Sequence, residues 1–209
     1  ALGNKHPKTL STINNLAMFY YYQAQYAKAE PLYIEALKIR REISGNKHPD
    51  TATSLAYLAL LYEKQALCAK AEPLYLEALK IQREILGDRH PTTATSINNL
   101  GKFYNKQTLY GKAEPLYIEA LKIRRETLGN NHPDTVNSIN TLAMLYAGQA
   151  QYGKAEPLYI EALKISREIS GNKHPDTVDS INNLGEFYNK QALYGKAEPL
   201  YIEALKIRR

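Results

Sequence analysis

Residues His90 to Gly129 read HPTTATSINNLGKFYNKQTLYGKAEPLYIEALKIRRETLG, and the chain on either side repeats them. His-Pro recurs at His6-Pro7, His48-Pro49, His90-Pro91, His132-Pro133 and His174-Pro175, each time 42 residues on. Ala-Glu-Pro-Leu-Tyr begins again at Ala29, Ala71, Ala113, Ala155 and Ala197. His90–Arg125 and His174–Arg209 agree at 31 of 36 aligned positions. A fixed period of this size marks a solenoid, in which each unit buries its apolar face against its neighbours. The chain divides into five units, 4–45, 46–87, 88–129, 130–171 and 172–209, in a single array over 1–209. Ala1-Leu2-Gly3 matches the tail of a unit and Arg209 falls within a last helix, so a fragment of a longer protein is expected.

Each unit reads as two helices. In the second, Pro49 suits a first helical turn, where its missing N–H would be unpaired anyway, and Asp50 complements the positive helix end. His48, ahead of a proline, is driven to extended backbone and suits the cap position. Leu55, Leu58, Ala59 and Tyr62 then fall at helical spacing, predicting helix A over 49–64. Ala71, Leu74, Tyr75, Ala78, Leu79 and Ile81 give helix B a broad apolar stripe ending near Leu86, with Gly87 able to take positive φ. Pro73 and its equivalents sit inside helix B, where each removes one hydrogen bond, so a 3₁₀-like start or mild bend is expected. Short connections make the helices antiparallel. Small residues at Ala17, Ala59, Gly101, Ala143 and Gly185 face a second small series at Ala36, Ala78, Ala120, Ala162 and Ala204.

That small–large pattern resembles the tetratricopeptide repeat: Leu100, Gly101 and Tyr104 on helix A, then Ala113, Tyr117 and Ala120 on helix B. The period of 42, with HP-x-T-x-x-S-x-x-N-L and Y-x-K-A-E-P-L-Y, is similar to the kinesin light chain branch of that family. The resemblance implies an all-α, right-handed superhelical solenoid of antiparallel helix pairs, with helix A lining a concave groove and helix B the convex side. It departs at one place. Repeats of that branch carry Gly after the Gln of the A–B turn, whereas Ala24, Ala66, Thr108, Ala150 and Ala192 stand here. If the turn takes positive φ, each is strained by roughly 1 kcal/mol.

Of the seventeen tyrosines, fourteen occupy the Tyr20, Tyr26 and Tyr33 slots and are expected in the core. Cys68, the single cysteine, fills the Tyr26 slot as a small core substitution. Tyr21, Tyr22 and Tyr57 break the register, and the resemblance places them in the groove with Met18, as an apolar pocket for a partner. Compensation for an open N-terminal end is the competing explanation for Tyr21 and Tyr22. Asparagines form a ladder along helix A: Asn14 and Asn15, Asn98 and Asn99, Asn140, Asn182 and Asn183. Kinesin light chains, by resemblance, use such a ladder on the backbone of an extended peptide. A carboxamide supplies two donors and an acceptor, so it can pair with peptide N–H and C=O whatever the side chain. One carboxamide per unit is expected to face ligand, with Asn98, Asn140 and Asn182 pairing to its backbone and Asn14, Asn15, Asn99 and Asn183 in the same peptide-binding set; the competing explanation is that some of them bind neighbouring helices and hold the superhelix together. Lys102, Asn105 and Lys106 complete the peptide-binding set, the lysines suited to an acidic side chain.

The net charge of +6 raises the rival possibility of nucleic acid. Groove positions are nearly balanced, Lys64, Lys102, Lys106 and Lys190 against Glu63, Asp179 and Glu186. The excess lies late on helix B, at Lys38, Arg40, Arg41, Lys80, Arg83, Lys122, Arg124, Arg125, Lys164 and Arg167, where cations complement the helix end. A solvated helix end explains that stripe better than a nucleic-acid surface, since no stacking aromatics accompany it. Five histidines, one per unit, are about 10 Å or more apart and cannot share a metal. No phosphate loop, serine elbow, paired cysteines or HExxH is present, so neither enzymatic activity nor a cofactor is expected. No apolar run reaches membrane-span length, and one cysteine suits a reducing compartment, so a cytoplasmic location without membrane contact is expected. The functional expectation is a protein–protein interaction module that holds an extended peptide or partner segment. Two alternatives stand beside it: a spacer self-associating end to end through uncapped termini, and nucleic-acid binding.

Overall fold

In a computed structural model, residues 6–208 are described; Ala1-Leu2-Gly3 and Arg209, which bear on how the array starts and stops, lie outside them. The described residues form ten α-helices: α1 (Pro7–Tyr22), α2 (Tyr26–Ser44), α3 (Pro49–Lys64), α4 (Cys68–Leu86), α5 (Pro91–Lys106), α6 (Tyr110–Leu128), α7 (Pro133–Gly148), α8 (Tyr152–Ser170), α9 (Pro175–Lys190) and α10 (Tyr194–Arg208). They belong to two compact bodies, Ala1–Phe103 and Tyr104–Arg209. In the first, α1 packs on α2, α2 on α3 and α3 on α4. In the second, α6 packs on α7, α7 on α8, α8 on α9 and α9 on α10. Helix A of the second unit spans the residues its pattern predicts, and helix B ends at Leu86.

Every A helix starts in the same way. His48 has φ −138° and ψ 142°, and its Nδ1 accepts the backbone N–H of Asp50 at 3.1 Å. His6, His90, His132 and His174 accept from Lys8, Thr92, Asp134 and Asp176 at 3.1–3.2 Å. A ring nitrogen thus does what a serine or aspartate oxygen does at most N-caps. From the second unit on, the threonine of HP-x-T is fully buried and ties its helix to the preceding turn. Thr51, Thr93 and Thr135 each donate to the carbonyl of Gly45, Gly87 and Gly129 at 2.8 Å.

Every A helix also ends in the same way. The N–H of Ala66 reaches the carbonyl of Glu63 at 3.0 Å, and that of Leu67 reaches Tyr62 at 2.9 Å. This 5→2 and 6→1 pair is a Schellman motif, which requires a left-handed residue between. Ala24, Ala66, Thr108, Ala150 and Ala192 adopt φ of 55° to 59° to supply it. The missing glycine of these turns is therefore a point of backbone strain in each unit. Pro31, Pro73, Pro115, Pro157 and Pro199 interrupt no helix, each B helix remaining α through its proline. The expected 3₁₀ character is confined to the opening bond, as in Lys70 N–H to the Leu67 carbonyl at 2.9 Å.

The small residues bring the helices together. Ala17, Ala59 and Ala143 are fully buried, as are Ala36, Ala120 and Ala162. Large side chains then fill the layer between, including Leu61, Ile97, Phe103, Tyr117, Ile139, Leu145 and Ile181, all at most 1% exposed. Polar joints fasten one unit to the next. Tyr62 donates to Glu30 Oε1 at 2.9 Å, Tyr146 to Glu114 at 2.9 Å and Tyr188 to Glu156 at 2.8 Å. A lysine from the following B helix caps each ring, Lys70 Nζ lying 4.9 Å from the Tyr62 centroid and Lys196 Nζ 4.8 Å from Tyr188. Burial first, then the carboxylate that accepts the hydrogen bond, pushes the Tyr62, Tyr146 and Tyr188 phenols up to about 12.

Candidate functional site

The ladder asparagines fall into two slots with different surroundings. Asn14, Asn98 and Asn140 share the first slot, and the Oδ1 of each is shut off from solvent without a hydrogen-bond partner. A buried acceptor left unpaired costs about 1–3 kcal/mol, so these carboxamides are a standing expense to the fold. Asn98 is only 3% exposed, between the buried Ile97 and Leu100, and offers no surface to a ligand. Its expected direct contact is corrected accordingly: the packing around α5 closes over this position, which the polar character of the residue alone does not reveal. Asn140 and Asn182 are partly buried. In the second slot Asn15 is exposed, Asn99 and Asn183 are partly buried, and Thr141 is buried.

On the first body the off-register tyrosines come together. Tyr57 stacks on the buried Tyr33 with centroids 6.0 Å apart and planes at 20°. Tyr21 meets Tyr22 edge-on at 5.5 Å and Tyr26 at 6.0 Å. Burial, then Tyr26, Glu63 and Tyr22, pushes the Tyr21 phenol up to about 12. Tyr22 is 78% exposed, and Met18 is half-buried beside it on α1. Lys102 stands exposed near the end of this body.

On the second body Asn105 and Lys106 close α5, partly buried and exposed respectively. Two adjoining clefts open along α7 and α9. The wider, about 460 Å³, is lined by Asn140, Met144, Ser166, Asp176, Ser180 and Asn183 among others. The narrower, about 200 Å³, is lined by Met144, Tyr152, Asn183, Glu186, Phe187 and Lys190 among others. Met144 and Asn183 belong to both, so the two form one surface with a polar and an aromatic half. Asn182 lines neither cleft.

Tyr152 is a residue the sequence pattern assigned to the core. It is 42% exposed and meets Phe187 edge-on at 6.0 Å. The whole Tyr26 slot is at least partly exposed, Tyr194 at 64%, and Cys68 is likewise only half-buried. The reason is positional: this slot is the first residue of helix B, just after the left-handed turn, ahead of the apolar stripe. The replacement of one tyrosine by cysteine was the available signal that packing does not govern the slot.

The basic stripe of helix B is also revised. Arg41, Arg125 and Arg167 donate to Glu77, Glu161 and Glu203 of the next B helix at 2.7 Å. Arg40 pairs with Asp50 at 2.9 Å. Arg124 is 4% exposed and donates through Nη1 to Ser138 Oγ at 2.7 Å and the Asp134 carbonyl at 3.1 Å. Desolvation of that guanidinium lowers its pKa, with Asp134 opposing. Arg41, Arg125 and Arg167 thus join successive units while their side chains stay 37–38% exposed, and Arg124 is withdrawn from solvent; Lys38, Lys80, Lys122 and Lys164 remain exposed. Among the described residues no three His, Cys, Asp or Glu side chains cluster to hold a metal, and no helix is long and apolar enough to cross a membrane.

The family model of the tetratricopeptide repeat matches residues 8–84, 56–107, 93–165 and 138–209. No curated protein sequence matches the chain. Among solved structures it is similar to BtubC (BKLC) from P. vanneervenii, with 28% identity, TM-score 0.81, and 96% of this chain covering 80% of that one. A Podosopora anserina kinesin light chain-type protein with nearly identical TPR-like repeats is 24% identical, with TM-score 0.80 over 97% of this chain and 96% of its own. The apo form of RapI aligns at 18% identity and TM-score 0.72, over 93% of this chain and 52% of its own. The last two likenesses, at such identities, bear on fold alone. With its family model matched over nearly its whole length, and the described residues forming ten α-helices, the chain belongs to the tetratricopeptide-repeat family, an all-α solenoid fold of protein-interaction scaffolds.

Proposed function

We propose that the A-helix faces of this chain bind an extended segment of a partner polypeptide, with asparagine carboxamides pairing to its backbone. The observation that carries this reading is the double cleft on the second body. There Asn140 and Asn183 stand on facing helices, beside a methionine that is 59% exposed. Backbone-directed carboxamides next to an accommodating thioether and an aromatic wall suit a peptide held by its main chain and sorted by alternate side chains. The unpaired Oδ1 of Asn140 adds an acceptor that a peptide N–H would satisfy after a rotation of the carboxamide. On the first body Tyr21, Tyr22, Tyr57 and Met18 would make an apolar contact, with Asn14, Asn15 and Asn99 beside it and Lys102 suited to an acidic residue. On the second, Asn105 and Lys106 would play the matching parts, and Asn182 would support its neighbour Asn183. Asn98 takes a packing role in this scheme. A cytoplasmic setting fits a chain with one half-buried thiol.

A displayed random-peptide library panned against the chain tests the proposal. Enriched peptides are expected to bind the parent and to lose about tenfold or more with Asn140→Ala plus Asn183→Ala, a variant whose melting should stay close to the parent's. Enriched peptides that bind this double variant equally well would overturn the assignment of the carboxamides.

A further inference from the structure

One joint position sets the shape of the wider cleft. The late helix B slot holds Arg40, Gln82, Arg124 and Ser166 in successive units, and the helix A position facing it is always serine. Two of the long side chains fill the joint: Ser96 donates to Gln82 Oε1 at 2.9 Å, and Arg124 reaches Ser138 Oγ and the Asp134 carbonyl, whereas Arg40 turns to the Asp50 carboxylate at 2.9 Å. At the fourth joint Ser166 is too short. It meets Ser180 Oγ at 2.8 Å, both side chains being 3% exposed, and the space beyond is the cleft of about 460 Å³. Ser180 and Asp176 are the residues one unit on from Ser138 and Asp134, the pair that receives the Arg124 guanidinium.

We infer that this cleft is a subsite for an arginine side chain of the bound partner, which takes in trans the place that Arg124 takes in cis one unit earlier. The inference rests on the peptide-binding reading above and adds the chemistry of one ligand residue. Three observations carry it. The acceptors, Ser180 Oγ and the Asp176 carbonyl, are the equivalents one unit on of Ser138 Oγ and the Asp134 carbonyl, which hold the Arg124 guanidinium at 2.7 and 3.1 Å. A hydroxyl has two lone pairs and one proton, so Ser180 can accept from a ligand while bonded to Ser166. The lining includes Asp134, Asp176 and Asp179 and neither a lysine nor an arginine. Arg208 approaches Asp179 at 3.6 Å between exposed groups, a pairing that solvent weakens. Planar, forked recognition favours arginine over lysine here, as it does in the cis joint. Asn140 and Asn183 at the cleft mouth lie where the main chain carrying that arginine would run.

Two probes and one substitution decide the matter. The probes are acetyl-arginine-amide and an Ala-Ala-Arg-Ala-Ala peptide blocked at both ends, each compared with its citrulline counterpart by NMR titration of the full chain. Both arginine probes are expected to shift amides of α7, α8 and α9, and citrulline to bind about tenfold or more weakly, since it lacks the charge. Ser166→Arg restores the side chain that the same slot holds elsewhere, so the fold should be kept, as a thermal melt would verify. It is expected to abolish binding of both arginine probes. The exposed pair Asp176→Asn, Asp179→Asn should weaken them severalfold without touching the joint. Arginine probes that bind Ser166→Arg as well as the parent would overturn the inference. So would library peptides that depend on Asn183 yet carry no basic residue and resist Ser166→Arg, though these leave the peptide-binding reading intact. No binding by any peptide or probe would overturn both.

Discussion

Replacing Ala66 by glycine should make the protein more stable, against the usual expectation for a glycine beside a helix. Ala66 holds φ at 58° between Gln65 and Leu67, and the two hydrogen bonds of the turn exist only with that geometry. Left-handed backbone costs an L-residue about 1–2 kcal/mol, which glycine avoids. Glycine in turn loses about 0.4–1 kcal/mol more chain entropy on folding. The difference leaves a gain of about 0.5–1 kcal/mol for Ala66→Gly. The five such turns are a full unit apart and share no partners, so changes at Ala24, Ala66, Thr108, Ala150 and Ala192 should add, to about 3–5 kcal/mol. At about 2–4 °C per kcal/mol for a chain of this size, the fivefold variant should melt about 6–20 °C higher. Circular dichroism melts and urea titrations give the readout, with Ala69→Gly as control. Ala69 lies exposed in the first turn of α4, where the same exchange should cost about 0.5–1 kcal/mol. Loss of stability in Ala66→Gly comparable to that in Ala69→Gly would refute the left-handed turn.

Tyr62→Phe should cost about 1–2 kcal/mol, because Glu30 loses a phenol donor inside the joint, and Glu30→Ala, which removes the acceptor, should abolish most of that difference in a double-mutant cycle. Alkali should act on the same joints. Unfolded tyrosine loses its proton near pH 10, whereas Tyr62, Tyr146 and Tyr188 keep theirs to about 12, so between those values the folded chain binds more protons. Their contribution is complete below about pH 10 and is lost as pH rises through about 12, which phenolate absorbance recorded with unfolding would follow. Arg124→Met should be tolerated better than Arg124→Ala by about 1–3 kcal/mol in urea midpoints, because Ser138 loses its donor in both and alanine alone also leaves a cavity. Duplex DNA binding, if measured by anisotropy at low salt, should be weak and unaffected by Arg125→Gln, because that side chain is engaged with Glu161.

Local elements were legible because each carries its own code. The proline and histidine at one end of helix A, and the glycine past the end of helix B, mark boundaries by backbone chemistry alone. The strained turn was legible as a conditional, since alanine occupies a place that the related repeats give to glycine. The joints were less so. Arg41 meets Glu77 and Tyr62 meets Glu30 at separations set by the packing of whole units, which helical periodicity does not encode. Burial of Asn98 was hidden for the same reason: a helix face looks polar in sequence until its neighbour is in place. Tyr152 was misjudged because apolar spacing was extended back into the first turn of helix B. Ser166 gives no positive signal in the sequence, because it marks the cleft by a long side chain taken away from the repeat pattern and not by one added to it.

Amide hydrogen exchange of the chain with and without a library-selected peptide bears most directly on how this protein engages a partner. Protection is expected along α7 and α9, strongest around Asn140, Met144 and Asn183, and no change is expected on the outward surfaces of α6, α8 and α10. Protection confined to those B helices, or spread along their exposed lysines, would contradict a partner held by the A-helix carboxamides.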